Sequence, residues 1–192
     1  MNPITYPARP GNGGPLPMAI AAGAYKEPGW VFQPKINGWR SLLHTPTGTM
    51  WNRQLQPLSI TNDYMEQRIA LADYPFEWLD VECLGRRHAV AQDSIIILDW
   101  VVPDVKLKDR LRILERFLDP FTTLPNRFGM MITWPMEEAE SRWENLQARN
   151  RLLGCTFYEG LVAKHQDSTY SIQLRSGDET CPSWTKHRFT TK

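Results

Sequence analysis

Cysteine is scarce in this chain. Three occur in 192 residues, at Cys83, Cys155 and Cys181, with no C-x-x-C pair among them. Such spacing excludes the ligand pattern of a structural zinc site. An odd count without a secretion signal argues for reduced thiols and an intracellular setting. No charge of one sign dominates: Lys+Arg is 22 against Asp+Glu 21, a net +1. No overall field therefore advertises nucleic acid, and only a local basic surface could serve that end. No apolar run approaches the ~20 residues needed to cross a bilayer, and the N-terminus lacks a basic-then-apolar signal pattern. The expectation is a cytosolic protein that neither crosses nor sits on a membrane. Internal repeats and low-complexity tracts are also missing.

Ordinary globular material is what remains. With 42% hydrophobic and 22% charged residues, the chain suits one substantial domain. Its eight tryptophans read as core and strand packing. Pro3, Pro7, Pro10, Gly11, Gly13, Gly14 and Pro15 mark residues 1–16 as an irregular lead-in to a domain over 17–192. Two strand-like runs between Trp30 and His44 flank Asn37-Gly38, a dipeptide that favours a hairpin turn. Further strands are expected up to Trp51 and over Glu77–Leu84, Ser94–Val101, Met130–Trp134, Gly160–Lys164, Tyr170–Leu174 and Ser183–Arg188.

Three helices are legible. One covers Asp63–Ala72, with Tyr64, Ile69 and Leu71 available for burial. A second, Leu107–Leu118, puts Leu107, Leu111, Leu114 and Leu118 on one stripe. The third starts at Pro135, with Glu137, Glu138 and Glu140 near the positive end of its dipole, and Gly154 ends it. Met136, Ala139, Trp143, Leu146 and Leu153 form its apolar face. Strands and helices without regular alternation favour an α+β fold with antiparallel sheet.

Three basic clusters sit on strand-like segments: Gln33-Pro34-Lys35-Ile36-Asn37-Gly38-Trp39-Arg40, Glu159-Gly160-Leu161-Val162-Ala163-Lys164 and Trp184-Thr185-Lys186-His187-Arg188. Singly each is a weak signal, and a hairpin turn decorated by Lys35 reads the first equally well. Converging in space, they would form a polyphosphate site holding a nucleophilic amine. A free lysine, with a pKa of about 10.4, is protonated at neutral pH. Burial and neighbouring cations lower that value, and Lys164, Lys186 and Arg188 are the candidate neighbours. The same cations would bind a triphosphate and stabilise charge as pyrophosphate leaves. Glu82 and Glu159 would offer oxygens to Mg²⁺ or to a ribose hydroxyl.

The clusters and the motifs between them resemble the adenylation domain of ATP-dependent DNA ligases, in the covalent nucleotidyltransferase superfamily of ligases and capping enzymes. The resemblance runs from Pro17-Met18 to Arg188. It takes in K-x-N-G-x-R at Lys35–Arg40, Asn52-Arg53, Asp80-Val81-Glu82, Leu98-Asp99, the full E-G-L-V-x-K at Glu159–Lys164, and W-x-K-x-R at Trp184–Arg188. It implies an ATP-grasp-like domain of two mostly antiparallel sheets flanked by helices, with a cleft between the sheets. It also implies that Lys35 becomes adenylated, that Gln33 and the backbone around Ile36 line the adenine pocket, and that Arg40 holds the ribose or the nucleic-acid end. Arg53 would contact phosphate, Glu82 the ribose or metal, and Glu159 the metal. Lys164 and Lys186 would contact the α-phosphate, with Arg188 sharing that duty. Arg175 occupies a position where DNA ligases often carry an arginine.

ATP, Mg²⁺ and nicked duplex DNA are the implied cofactors and substrate, with RNA as the alternative and a monomeric enzyme expected. The chain departs from the family at Asn37, where aspartate is usual, at Val81 for glycine, at Leu98 for an adenine-stacking aromatic, and at Arg188 for lysine, a planar fork in place of a point charge. The sequence stops four residues after Arg188, without the OB-fold domain that usually follows. A truncated chain, a stand-alone minimal ligase and a subunit whose partner supplies the clamp all stay open. Two other functions also stay open: a GTP-dependent capping enzyme, and a non-catalytic nucleotide- or nucleic-acid-binding module.

Overall fold

The computed structural model describes residues 6–59, 61–85, 91, 93–120, 128–171 and 179–189. Arg175 and residues 172–174 of the expected Tyr170–Leu174 strand lie outside them. The chain divides into two compact units. One is built mainly on Gly38–Met131 with the segment from Thr169; the other on Arg9–Asn37, Ile132–Ser168 and the segment from Thr180. They are called here the Arg40 unit and the Lys35 unit. Each carries its own five-stranded sheet, and the class is α+β.

The Lys35 unit contains β1 (Pro10–Asn12), α1 (Leu16–Ala21), β2 (Trp30–Ile36), β8 (Trp134–Pro135), α4 (Ala139–Leu153), β9 (Tyr158–His165) and β10 (Cys181–Arg188). Its sheet runs β1-β10-β9-β2-β8, antiparallel except for the β1–β10 pair. β1 lies within what the sequence suggests is an irregular lead-in, because its backbone joins the β10 edge. One sheet face is apolar, with Phe32, Ile36, Leu161 and Ala163 all buried. α4 covers that face: Trp143 packs edge-on against Phe189, ring centroids 4.5 Å apart. Pro135 leads through a short 3₁₀ turn at Met136–Glu138 into α4, and Gly154 closes the helix in the left-handed conformation, φ 64°. Ala139, Trp143 and Leu146 are buried as expected, but Leu153 is 40% exposed. It sits in the final turn, next to Gly154, where the stripe no longer faces the sheet.

The Arg40 unit contains β3 (Trp39–His44), β4 (Thr49–Trp51), α2 (Met65–Ala72), β5 (Trp78–Leu84), β6 (Ser94–Trp100), α3 (Leu107–Phe117) and β7 (Phe128–Met130). Its sheet runs β4-β3-β5-β6-β7, antiparallel except for β6–β7. α3 buries Leu107, Leu111 and Leu114, and Leu118 just past its end, as the stripe requires. α2 buries Leu71 and the polar Gln67, with Tyr64 just before it, but leaves Ile69 65% exposed.

Two strand expectations fail. Asn37-Gly38 is not a hairpin: β2 pairs with β8 and β9, whereas β3 pairs with β4 and β5. Neither residue has a positive φ, which the favoured two-residue hairpin turns require. The chain instead leaves one sheet at Ile36 and enters the other at Trp39. Met130–Trp134 is likewise divided between β7 and β8, one in each sheet. Of the Tyr170–Leu174 segment, Tyr170 and Ser171 are described and form no strand.

Candidate functional site

Register on the Lys35 unit aligns the candidate residues. β9 lies between β2 and β10, and directly paired residues share a sheet face. Lys35 and Arg188 both pair with Gly160; Gln33 and Lys186 both pair with Val162; Val31 and Trp184 both pair with Lys164. Five residues singled out in the sequence, Gln33, Lys35, Lys164, Lys186 and Arg188, therefore stand in three adjacent rows on one face. The opposite face is the apolar one under α4. Ile36 points to that apolar side and is buried, so only its backbone is available to a ligand.

Glu159 joins this face through an irregularity. Lys35 pairs with Gly160, but Ile36 pairs with Tyr158, leaving Glu159 as the extra residue of a β-bulge. In an uninterrupted strand Glu159 would project away from Lys35; a bulge re-aims one side chain. The Lys35 Nζ donates to Glu159 Oε2, and Arg188 Nε lies 3.6 Å from the same oxygen. Gly160 permits the bulge. Its φ is 147°, and a Cβ there would lie 1.9 Å from the His187 carbonyl oxygen. The glycine of E-G-L-V-A-K is thus a steric necessity. Where the sequence suggests cations around Lys35, its immediate partner is this carboxylate, with a cation on the far side of it.

The remaining residues of this face are firmly held. The Lys164 ammonium lies over the Trp184 ring, 4.1 Å from its centroid. Gln33 is buried and donates through Nε2 to Thr133 Oγ1 at 3.0 Å. Behind Lys186 and Arg188, the His187 ring is fully buried. It accepts from the Tyr25 hydroxyl at Nε2, at 2.5 Å, and donates from Nδ1 to the Gly14 carbonyl, at 2.9 Å. Burial lowers the His187 pKa, partly countered by the Gly14 bond. Asn37 is tied down twice: its backbone N–H donates to Phe157 O at 2.9 Å, and its side-chain amide to Thr156 O at 3.2 Å. The second bond needs a donor, which aspartate lacks.

Arg40, Arg53, Glu82 and Leu98 belong to the other unit. Arg40 meets Asp80 fork to fork, with Nε to Oδ1 at 2.9 Å and Nη2 to Oδ2 at 2.5 Å. Tyr170 donates to the same Asp80 Oδ2 at 2.8 Å. Burial alone would lower the Arg40 pKa, but the charge and hydrogen bonds of Asp80 more than offset it and the net direction is upward. Glu82 pairs with Arg40 across β3–β5. Its side chain lies so close to Gly38 that a Cβ there would be 2.7 Å from Glu82 Cγ and 2.8 Å from the Cys83 carbonyl. Gly38 is therefore needed for close approach rather than for a turn. Arg53 is exposed in a turn built on Asn52, whose Oδ1 accepts from the N–H groups of Gln54 and Gln56. A register shift between Asp80 and Val81 makes Leu98, half-buried, the bulged residue of β6.

Sequence reasoning gave no role to several residues. Trp184, Thr133 and Tyr170 each hold a candidate group in place. Arg110, fully buried, binds Asp99 through Nε and Nη2 at 2.8 and 3.0 Å. A charge on the buried stripe of α3, beside Leu107 and Leu111, is the signal that could have found it. Among the described residues no group of three or more His, Cys, Asp or Glu could hold a metal ion. All three cysteines are free, and no described helix is long and apolar enough to cross a membrane.

No protein-family model matches the chain, and no curated protein matches it by sequence. Solved structures do resemble it. The ligase domain of LigD from M. tuberculosis superposes with a TM-score of 0.62 at 19% identity, over 96% of this chain and 59% of that one. Chlorella virus DNA ligase-adenylate gives 0.61 at 16% identity, over 96% and 69%. An archaeal ATP-dependent RNA ligase gives 0.55 at 16% identity, over 96% and 48%. The chain thus spans less than two thirds of the LigD ligase domain, 59% of its length. Over nearly all of its length its fold resembles that of these ligase structures.

Proposed function

We propose that this chain is the adenylation domain of an ATP-dependent polynucleotide ligase, or a minimal form of one, and that Lys35 carries the nucleotide. The observation that carries this reading is the three-row face on which Lys35, Glu159 and Arg188 stand beside Lys164 and Lys186. An amine among cations, engaged by one displaceable carboxylate, suits attack on a phosphate better than a static scaffold. The Lys35 ammonium leaves Glu159, gives a proton to water, and the free amine attacks the α-phosphorus of ATP. A P–N bond forms, the P–O bond to pyrophosphate breaks, and Lys164 and Lys186 stabilise the charge that develops.

The AMP then passes to a 5′-phosphate at a nick, breaking the P–N bond, and a 3′-hydroxyl displaces AMP to seal the strand. Gln33 and the backbone at Ile36 are assigned to the base, Glu82 and Arg40 to the ribose or the strand end, Arg53 to phosphate, and Leu98 to the base face in place of an aromatic. Mg²⁺ fits the donor set, since it is commonly bound by one or two carboxylates together with substrate phosphates and waters. Glu159 offers one such carboxylate, beside Lys35. Bound there, the ion would neutralise charge on the phosphates. DNA is favoured as the substrate because the first motif carries Arg40, the DNA-ligase form.

Intact-mass measurement after incubation with Mg²⁺ and either ATP or GTP tests this reading. One AMP per chain is expected, lost in Lys35→Ala. A GMP adduct would indicate capping chemistry, and no adduct in a folded sample would sink the enzymatic reading. Sealing assays on nicked DNA and RNA duplexes then choose the substrate.

A further inference from the structure

The Lys164 ammonium rests on a buried indole. Lys164 is 4% exposed and Trp184 2%, and the two are direct partners across β9–β10. The ring is fixed in plane: its Nε1 donates to Ser168 Oγ at 3.1 Å, and Ser168 Oγ donates to the His165 carbonyl at 2.6 Å. A chain of contacts thus runs from the end of β9 through the indole to the lysine.

A buried ammonium has lost water and is disfavoured relative to the neutral amine. The negative face of an indole stabilises the cation, more strongly when it is desolvated, and adds no net charge. We propose that Trp184 is a positioning residue that keeps Lys164 charged and aimed for an anionic phosphate, with Ser168 setting the plane of the ring. The ligase reading supplies only the identity of that phosphate.

Among the described residues, strand register puts Lys186 one row away on this face, and Lys35 and Arg188 two rows away with Glu159 between them. β2 contributes the apolar Val31 to the Lys164 row, and α4 lies on the opposite face. The nearer cation, Lys186, lowers the pH at which Lys164 loses its proton. Trp184 raises it.

The test follows Lys164 itself, by carbon NMR of full-length protein labelled at lysine Cε, with the resonance assigned through Lys164→Arg. In Trp184→Leu the Lys164 titration midpoint is expected to fall by about one pH unit. In Trp184→Phe and Ser168→Ala it should fall less. The alkaline limb of lysyl-nucleotide formation should move by the same amount, whereas a ring that only fills space would lower the rate equally at every pH. If the leucine variant does not fold, the phenylalanine and alanine variants carry the test. An unmoved Lys164 midpoint in folded variants overturns the proposal. A moved midpoint in a protein that forms no lysyl-nucleotide supports the Trp184 assignment while removing the ligase reading.

Discussion

The two units spend the same residue types differently. In the Arg40 unit Asp80 and Asp99 are both fully buried. Each is met by two guanidinium hydrogen bonds, from Arg40 and Arg110 respectively. Tyr170 binds Asp80 and stacks under the Arg110 guanidinium at 5.8 Å, so the two pairs form one network. On the Lys35 unit a single carboxylate, Glu159, serves Lys35 and Arg188 and keeps 26% of its side-chain surface exposed. Burying charge is expensive, so an enclosed pair survives only when its bonding capacity is filled. A half-exposed carboxylate shared by two cations can yield them to an incoming anion at small cost. Saturation of bonds marks the fully buried Arg110–Asp99 pair as scaffold, whereas Glu159, with part of its surface exposed, belongs to the candidate site.

The largest test of that contrast is Asp99→Ala. It takes the carboxylate away from the fully buried Arg110 and is expected to cost about 3–5 kcal/mol in chemical denaturation. Glu159→Gln should do the reverse. Stability should change by less than about 1 kcal/mol, while lysyl-nucleotide formation slows about a hundred-fold, as removal of one transition-state partner commonly does. Equal stability losses in the two variants would dissolve the distinction.

A smaller effect is expected at Asn37. An aspartate at this position removes the donor to Thr156 O and sets a carboxylate against a carbonyl. Asn37→Asp should lose about 1 kcal/mol of stability, read from the urea midpoint. A gain would show that the amide bond does not hold this segment.

The smallest effect is a pH dependence behind the site. Burial holds the His187 pKa below its ordinary 6.5, and the Gly14 bond opposes this only in part. The unfolded chain therefore takes up a proton that the folded chain resists. The contribution is complete above pH 6.5 and is lost as the pH falls toward the lowered folded value. Denaturation midpoints measured from about pH 7.5 down to pH 5 should decline, and His187→Gln should flatten that decline. An identical decline in the variant would remove His187 as its source.

Much of the candidate site was legible because its residues occur in motifs. Lys35, Glu159, Lys164, Lys186 and Arg188 could be named from spacing alone, and all five meet on one face. The helical stripe of α3 and the glycine stop of α4 were equally plain, since the 3.6-residue period and the left-handed cap are local properties. Ile69 and Leu153 were misjudged because even a strongly apolar residue is buried only if a neighbouring element reaches its side of the helix. Asn37-Gly38 misled for a related reason. The dipeptide states a turning preference, whereas long-range pairing of β2 with β9 and of β3 with β5 decides the path.

By itself the sequence determined which side chains carry charge and nucleophilic potential, the apolar stripe of α3 and the glycine stop of α4, and that strands of one α+β fold hold the motifs, while α1 went unread. These follow from residue chemistry and short-range periodicity. Tertiary structure alone decided that Glu159 turns toward Lys35, that Gly38 makes room for Glu82, that Arg110 is enclosed with Asp99 while Arg40 forks onto Asp80, and that Trp184 lies beneath Lys164. Each depends on strand register, a bulge or a close approach between segments far apart in the chain, and no local pattern encodes those distances.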